Sequence, residues 1–391
     1  MENINASFYR QFHCKPQYLF SAPGRTELSG NHTDHQHGYV LAAAVNLEML
    51  AWVSENDLAM IRIQSEGYPM CEVSLSRLEK RAEEENTTVA LIRGVAAKFA
   101  EMGVQLHGFD AYCTSTVLPG SGLSSSAAFE VLLGTIMNHL FNEQKCTAVE
   151  IAQIGQWAEN VYFGKPCGLM DQTASAVGNI IGIDFANPAA PVVERIDFDF
   201  AKSGYALCII DSGADHADLT DAYAAIPHEM KSVAAFFGQE VLRDVAEEDF
   251  YANLSAARRA CGDRAILRAV HFFEENKRVQ RQITALKNDD FETFLHLVTE
   301  SGKSSWMLLQ NVVPADTKQD IAVALTLAEH LLCGHGAVRI HGGGFAGTIQ
   351  AFVPGTMLDT FKREMEKVLG TDSCHTLSIR PEGGILVEEY K

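Results

Sequence analysis

The chain has 391 residues and a formal charge of −19, from 31 Lys and Arg against 50 Asp and Glu. A surface of that sign repels nucleic acids and anionic membranes, and no basic run offsets it, so we expect neither as a partner. The hydrophobic fraction of 47% is typical of a soluble globular protein, and the length is sufficient for two domains.

The nine cysteines are scattered and form no CxxC pair, which indicates reduced thiols rather than a disulfide framework. The first residues lack a basic start followed by an apolar run, and no signal peptide is predicted. The most apolar long stretch, residues 40–53, is too short to span a bilayer. We therefore expect a cytoplasmic location.

Hydrophobic periodicity predicts helices and strands in a mixed order. In the first half, the pattern predicts helices at 1–16, 88–103, 128–140 and 147–163, and strands at 17–22, 47–55, 59–65 and 109–117. In the second half, it predicts helices at 236–245, 256–276, 290–301 and 317–332, and strands at 206–211, 337–340, 348–353 and 376–379. Strand and helix do not alternate regularly, which favours an α+β fold over a doubly wound sheet. A connector near 185–205 predicts two domains, residues 1–190 and 191–391.

The segment Pro119–Ala128 reads PGSGLSSSAA and lies between a predicted strand and a predicted helix. Glycines let the backbone approach a ligand closely, and a helix N-terminus presents N–H groups and the positive end of its dipole. The segment has neither the Lys of a Walker A loop nor the spacing of a dinucleotide fingerprint. Phosphate binding is the favoured interpretation, and an ordinary glycine turn with a serine N-cap is the alternative.

The polar segment Ser21–Gly38 follows a predicted strand, where loops commonly carry function. Its histidines and Asp34 admit a metal cluster, but their spacing matches no helical zinc pair. A hydrogen-bonding platform for a polyhydroxyl ligand is the favoured interpretation, with Arg25 available for a phosphate.

Two further segments place glycines beside polar groups. Gly164–Gln172 reads GKPCGLMDQ, and its Asp171 is either a helix N-cap or a general base. Glu159, in the preceding predicted helix, can supply a carboxylate for Mg²⁺. Val338–Gly347 reads VRIHGGGFAG, where three consecutive glycines indicate that the backbone packs closely on a ligand or on the phosphate loop.

These four segments, in this order, resemble the GHMP small-molecule kinases, and within that family the galactokinases. SAPGR and GNHTDH are similar to the galactokinase signature, usually GRVNLIGEHTDYNGG, and LPGSGLSSSAA is similar to the phosphate loop. CGLMDQ resembles the motif of the catalytic Asp, and RIHGGGFAG the C-terminal glycine motif. The resemblance extends from about Ser21 to about Val353. It implies a two-domain GHMP kinase fold with the active site between the domains, and an ATP-dependent sugar 1-kinase that uses Mg²⁺.

The resemblance also implies a role for each matching residue. Asp171 is implied to be the catalytic base, and Arg25 to keep it ionised and to reach the transferred phosphoryl group. Ser126 and Glu159 are implied to hold Mg²⁺. The residues implied to contact ATP are Gly120, Ser121, Gly122, Leu123, Ser124, Ser125 and Ser126. The residues implied to contact the sugar are Asn31, His32, Asp34, Gly168 and Tyr223.

Several residues depart from the signature on the sugar side. Asn31 stands where galactokinases have Glu, and Glu27 stands where they have Asn. The other departures are Ser29, His35 and His341. An amide at position 31 removes the repulsion that a sugar acid would meet, about 4 kcal/mol for like charges 4 Å apart at an effective dielectric of 20. Galactose is the expected substrate, and galacturonate or another C6-modified sugar is the alternative.

Two other functions compete with a sugar kinase. A non-catalytic sugar and ATP sensor is one, but such galactokinase-like regulators tend to lose residues of the phosphate loop or the base, and both are complete in this sequence. A mevalonate- or homoserine-type kinase is the other, and it shares the phosphate loop but not GNHTDH.

Overall fold

The computed structural model describes residues 4–117, 122–213, 219–313, 319–345 and 347–390. Mixed helices and strands confirm the predicted α+β class. The strands are β1 (Tyr18–Ser29), β2 (Tyr39–Asn56), β3 (Met60–Ser65), β4 (Cys71–Ser74), β5 (Gly108–Ser115), β6 (Ile180–Asp184), β7 (Val192–Ile196), β8 (Tyr205–Asp211), β9 (Ala337–Ile340), β10 (Thr348–Pro354), β11 (Cys374–Leu377) and β12 (Ile385–Glu389). The helices are α1 (Ile4–Phe12), α2 (Thr88–Glu101), α3 (Ser125–Phe141), α4 (Ala148–Trp157), α5 (Met170–Val177), α6 (Thr220–Phe236), α7 (Glu247–Ala252), α8 (Leu254–Cys261), α9 (Asp263–Lys287), α10 (Phe291–Ser304), α11 (Asp320–Leu332) and α12 (Leu358–Leu369).

Two sheets organise the described part of the chain. The larger sheet has eight strands in the order β12-β1-β2-β5-β3-β4, with β6 paired to β2 and β7 paired to β6. The smaller sheet has four strands in the order β11-β8-β10-β9. The pairs are antiparallel except for β3 and β5. The larger sheet draws its strands mainly from the first half of the sequence and the smaller sheet from the second half.

Strand β2 is the centre of the larger sheet. The apolar run from Val40 to Val45 is fully buried within it. Helix α5 packs against the strand, and so does α9. A strand that is buried on both faces has a continuous run of apolar residues, rather than an alternation of apolar and polar residues. No helix in the described ranges is long and apolar enough to cross a bilayer.

The three largest hydrophobic cores of the described residues lie against the two sheets. The first, which includes Phe109, joins the larger sheet to α2, α3, α4 and α5. The second, which includes Phe294, joins both sheets to α9 and α10. The third, which includes Phe361, lies between the smaller sheet and helices α11 and α12. The second core holds the halves of the molecule together, and the polar segments of the sequence meet beside it.

The last strand returns to the first sheet. Strand β12 pairs antiparallel with β1, with Tyr18 opposite Glu389 and Ser21 opposite Ile385. The larger sheet also includes β7, which ends at Ile196. Membership of the two sheets therefore divides the chain near residue 200, apart from β12.

One predicted helix is wrong. The sequence pattern predicts a helix at 236–245, but α6 ends at Phe236 and only a short 3₁₀ turn, Leu242–Asp244, follows. Gly238 has a φ of 74°, in the left-handed region that commonly terminates helices. The helix lies upstream and contains Pro227, a residue that normally argues against a helix interior. Strands β4, β6, β7 and β12 and helix α12 lie where periodicity makes no prediction.

Candidate active site

Arg25 and Asp171 form the centre of the site although 146 residues separate them in sequence. Arg25 lies in β1, and Asp171 lies in the first turn of α5. The guanidinium donates from Nε to Oδ1 at 2.7 Å and from Nη2 to Oδ2 at 2.6 Å, a two-point ion pair. The Arg25 side chain is 7% exposed, whereas 31% of the Asp171 side chain remains exposed. The carboxylate is thus held on one side and accessible on the other.

Asp171 is ionised at neutral pH. Burial by itself would raise the pKa of Asp171, but the charge and hydrogen bonds of Arg25, with a hydrogen bond from the Ser124 hydroxyl, outweigh it and lower the pKa below its usual value. A carboxylate with a lowered pKa is a weak base in water. At neutral pH it nevertheless carries a full negative charge beside any hydroxyl group that binds next to it. The pair is suited to accept or orient a proton.

The described part of the phosphate loop, residues 122–126, contacts this pair through Ser124. Ser124 has a φ of 54° and precedes α3, but its hydroxyl donates to Asp171 and makes no side-chain cap bond to the helix, as far as the described residues show. The interpretation as a serine N-cap is therefore wrong for Ser124. Leu123 is buried, and its carbonyl accepts from the Arg25 N–H at 3.1 Å. Helix α3 begins at the next residue, Ser125, and the free N–H groups of a helix N-terminus suit a phosphate. Gly120 and Ser121 lie outside the described residues.

Ser126 and Glu159 lie together beside the loop. Glu159 belongs to the π-helical turn Ala158–Phe163, which continues α4. The Ser126 Oγ is 3.5 Å from Glu159 Oε1, and Lys165 Nζ is 3.7 Å from the same oxygen. A hydroxyl and a carboxylate oxygen are ligands that Mg²⁺ prefers, and it commonly takes only one or two protein ligands beside substrate phosphates. The pair fits Mg²⁺. No group of three His, Cys, Asp or Glu suited to a metal occurs within the described ranges.

Asp34 and Gly168, which the sequence predicts as sugar contacts, lie against each other. The Asp34 carboxylate accepts the His35 N–H at 2.9 Å. A Cβ at position 168 would lie only 2.1 Å from Asp34 Oδ2. Glycine is therefore required at 168 for the carboxylate to reach this backbone. The two predicted sugar contacts form one small polar surface.

His32 faces the C-terminal glycine motif. Its Nε2 lies 2.9 Å from the Gly343 carbonyl oxygen. Burial lowers the pKa of His32 to about 4, so the ring is neutral at pH 7. The residue has a φ of 61°, a conformation that few non-glycine residues adopt. The hydrogen bond to Gly343 holds the ring against the glycine motif.

Asn31 is fully buried and its amide is engaged by protein groups. Its Nδ2 donates to the Gly342 carbonyl at 2.6 Å and to Glu27 Oε1 at 3.1 Å. Its Oδ1 accepts from Asn311 Nδ2 at 2.7 Å. A direct contact between this amide and a ligand requires that one of these hydrogen bonds be given up.

The C-terminal glycine motif packs on the phosphate loop and on Tyr223. A Cβ at Gly122 would lie 3.1 Å from His341 Nδ1, and one at Gly343 would lie 2.4 Å from Tyr223 Cε1. The Tyr223 hydroxyl donates to the Gly344 carbonyl, and burial raises the pKa of Tyr223 to about 12. The contact with the phosphate loop is made by His341, whereas a Cβ at Gly343 or Gly344 would meet Tyr223 or Asn311.

Comparisons with known proteins agree with this geometry. The profile of the GHMP kinases N terminal domain matches residues 90–179, and the galactokinase galactose-binding signature matches residues 6–55. The galactokinase of Streptomyces coelicolor is 31% identical over 93% of this chain and 91% of its own length. That of Actinobacillus pleuropneumoniae is 33% identical over 88% of this chain and 86% of its own. The chain belongs to the galactokinase family.

A solved structure shows that the same fold extends over nearly all of the chain. The crystal structure of Lactococcus lactis galactokinase complexed with galactose superposes with a TM-score of 0.83, at 24% identity, and covers 98% of each chain. The GHMP kinase fold predicted from the motifs is confirmed.

The sequence analysis does not predict a role for two residues of this site, Gln172 and Glu130. Gln172 follows Asp171 directly, and its Nε2 donates to Glu159 Oε2 at 3.0 Å and to Glu130 Oε2 at 2.9 Å. Glu130 follows Ser126 by four residues on α3, so helical spacing places both on one face. That spacing is the one sequence signal that points to Glu130.

Proposed function

We propose that the protein is an ATP-dependent sugar 1-kinase that transfers the γ-phosphoryl group of ATP to the anomeric hydroxyl of galactose. The observation that carries the proposal is the Arg25–Asp171 ion pair, with its carboxylate open beside the N-terminus of α3. The name shared by the relatives supports galactose as the substrate.

Asp171 acts as the base in this proposal. Its ionised carboxylate accepts the proton of the sugar hydroxyl as the new bond to the γ-phosphorus forms. The bond from that phosphorus to the β–γ bridging oxygen breaks, ADP leaves, and Arg25 balances the charge during the step. Phosphoryl transfer depends mainly on positioning and charge neutralisation, and these two side chains supply both. Ser124, which donates to Asp171, couples the base to the phosphate loop.

ATP is bound by the loop residues 120–126 and the first N–H groups of α3. Ser126 and Glu159 hold Mg²⁺, which neutralises phosphate charge when it is bound. A chain with 50 acidic residues needs such a local concentration of N–H dipoles and cations to bind ATP.

The sugar lies against His32, Asp34, Gly168 and Tyr223. Asp34 accepts hydrogen bonds from sugar hydroxyls, and glycine at 168 keeps its carboxylate in place. Asn31 contributes to sugar binding indirectly, because its amide donates a hydrogen bond to the Gly342 carbonyl and so fixes that backbone. We also propose the two-domain division 1–190 and 191–391, with the site between the domains, and a cytoplasmic location.

A coupled assay of ADP release over a panel of sugars tests the activity. The panel contains galactose, galacturonate, N-acetylgalactosamine, arabinose and fucose, and we expect the highest kcat/KM with galactose. Binding of ATP and sugar without any release of ADP would instead favour the sensor function.

The variant Asp171→Asn tests the base. The amide preserves the shape but removes the charge, and we expect kcat to fall at least about 100-fold while ATP still binds. Asp359→Asn, at an exposed site on α12, is the matched control and should retain full activity. A kcat near that of the wild type in Asp171→Asn would overturn the assignment.

A further inference from the structure

A buried amide joins two carboxylates behind the proposed metal pair. Gln172 Nε2 donates to Glu159 Oε2 at 3.0 Å and to Glu130 Oε2 at 2.9 Å. Gln172 and Glu130 are fully buried, and Glu159 is 3% exposed. The three residues come from α5, α3 and the turn after α4. These are the elements that carry Asp171, Ser126 and the Glu159 carboxylate itself.

The fold makes specific room for Glu130. Gly155 lies within α4, and a Cβ there would approach to 3.0 Å from Glu130 Cβ and 3.2 Å from its Oε2. Glycine in a helix interior is less favourable than alanine. Its presence at position 155 is consistent with a requirement for the carboxyl group at this place.

The hydrogen-bonding pattern explains how two acidic groups share one amide. Among the described residues, Glu130 Oε1 and Gln172 Oε1 have no hydrogen-bond partner. Nε2 of Gln172 donates one hydrogen bond to each carboxyl group, so Glu130 holds the amide in the orientation that reaches Glu159. Burial, with the charge of Glu159, raises the pKa of Glu130 well above its usual value.

We propose that Gln172, oriented by Glu130, is the positioning residue that presents Glu159 to Mg²⁺. Gln172 occupies Oε2 of Glu159 and leaves Oε1 directed at Ser126, 3.5 Å from its hydroxyl. Partners that orient a metal ligand commonly change metal affinity 10- to 100-fold. The inference rests on the proposed function, because it takes Ser126 and Glu159 as the metal pair.

Binding of Mn²⁺ to the full chain with ADP, measured by electron paramagnetic resonance, tests the proposal without relying on turnover. Gln172→Met removes the donor at similar volume, and we expect the Kd for Mn²⁺ to rise at least about tenfold. ADP binding in EDTA should stay within about twofold of the wild type. Gln153→Met, on α4 with its amide turned to the Ala189 carbonyl, is the matched control and should not change the Kd.

Two more variants keep the test decisive if Gln172→Met does not fold. Gln172→Asn retains the amide but is too short to reach both carboxylates, and it should weaken Mn²⁺ binding as well. Glu130→Gln is neutral and keeps an acceptor for Gln172, so it should bind Mn²⁺ normally. Normal Mn²⁺ binding by the folded Gln172 variants would overturn the positioning role alone. Absence of Mn²⁺ binding by the wild type would overturn the metal pair itself.

Discussion

Asn31 and Glu27 contact each other inside the protein: Asn31 Nδ2 donates to Glu27 Oε1 at 3.1 Å, four residues away. Glu27 also forms a buried ion pair with Arg339, from Nη2 to Oε1 at 2.7 Å. The galactokinase signature carries Asn and Glu at these two places in the opposite order. The two residue types that contact each other are therefore the same as in the signature, but their positions are exchanged. The carboxylate stands at position 27, where it pairs with Arg339.

Asn31→Glu is expected to destabilise the protein rather than to change its choice of sugar. The substitution places a second carboxylate against Glu27 without a second cation, and we expect the free energy of unfolding to fall by about 3 kcal/mol or more. Urea unfolding measures the loss. The double variant Glu27→Asn with Asn31→Glu restores one amide and one carboxylate and should recover part of it, since contacting residues couple.

The same variant separates a structural from a substrate-reading role of Asn31. Because the amide is engaged by Gly342, Glu27 and Asn311, we expect kcat/KM to fall equally with galactose and galacturonate. A selective loss with galacturonate would instead show that position 31 reads the charge of the sugar, as the signature comparison suggests.

Arg25→Gln should move the acid limb of the pH profile. Arg25 lowers the pKa of Asp171 against the effect of burial, and without its charge burial raises that pKa. The base is then protonated at a higher pH, so kcat/KM should begin to fall at a higher pH than in the wild type. The value at neutral pH should drop about 100-fold or more, through lost charge stabilisation.

Two comparisons make the Arg25 experiment specific. Arg25→Lys keeps a positive charge and should shift the acid limb less, although it loses the two-point geometry. Arg258→Gln, whose side chain is 64% exposed, should leave the profile unchanged. An acid limb that does not move in Arg25→Gln would show that Asp171 does not control the profile.

His32→Asn should reduce the acid sensitivity of stability. Burial lowers the pKa of His32 to about 4 from its usual value of 6.5, so the unfolded chain binds the proton first as the pH falls. The stabilisation is complete above pH 6.5 and is lost as the pH falls toward 4. Asn tolerates the φ of 61° and does not titrate.

Urea unfolding at pH 7 and pH 5 checks this expectation. The variant should lose about 1 kcal/mol less than the wild type between the two values, allowing for the partly exposed ring. Buried His271 and His341, whose pKa values are also lowered by burial, account for acid sensitivity that remains. Equal losses in both proteins would contradict the role of His32.

Gly168→Ala should weaken sugar binding. The added Cβ would lie 2.1 Å from Asp34 Oδ2 and must displace that carboxylate. We expect the KM for the sugar to rise about tenfold or more, equivalent to about 1.4 kcal/mol, while the KM for ATP stays constant. Gly355→Ala, where the nearest atom is the Gly204 carbonyl at 3.3 Å, is the control. A parallel rise of both KM values would point to a general disturbance of the site.

The local sequence pattern predicts many of the helices and strands. Helices α2, α3, α10 and α11 begin and end within three residues of their predicted bounds, because each buries an apolar stripe with helical spacing. The phosphate loop is recognisable because glycine, serine and a following helix occur in one short stretch. The helix predicted at 236–245 is wrong because that run includes Gly238, whose φ of 74° lies in the left-handed region, and α6 lies upstream although it contains Pro227.

Contacts between distant residues are decided only in the folded chain. Periodicity shows which face of an element is buried but not which group faces it across 146 residues, as Arg25 and Asp171 do. The polar character of Asn31 suggests a ligand contact, yet the groups that engage it come from Gly342 and Asn311. A polar side chain that enters a low-dielectric interior must find its partners there, and tertiary packing alone determines which partners are within reach.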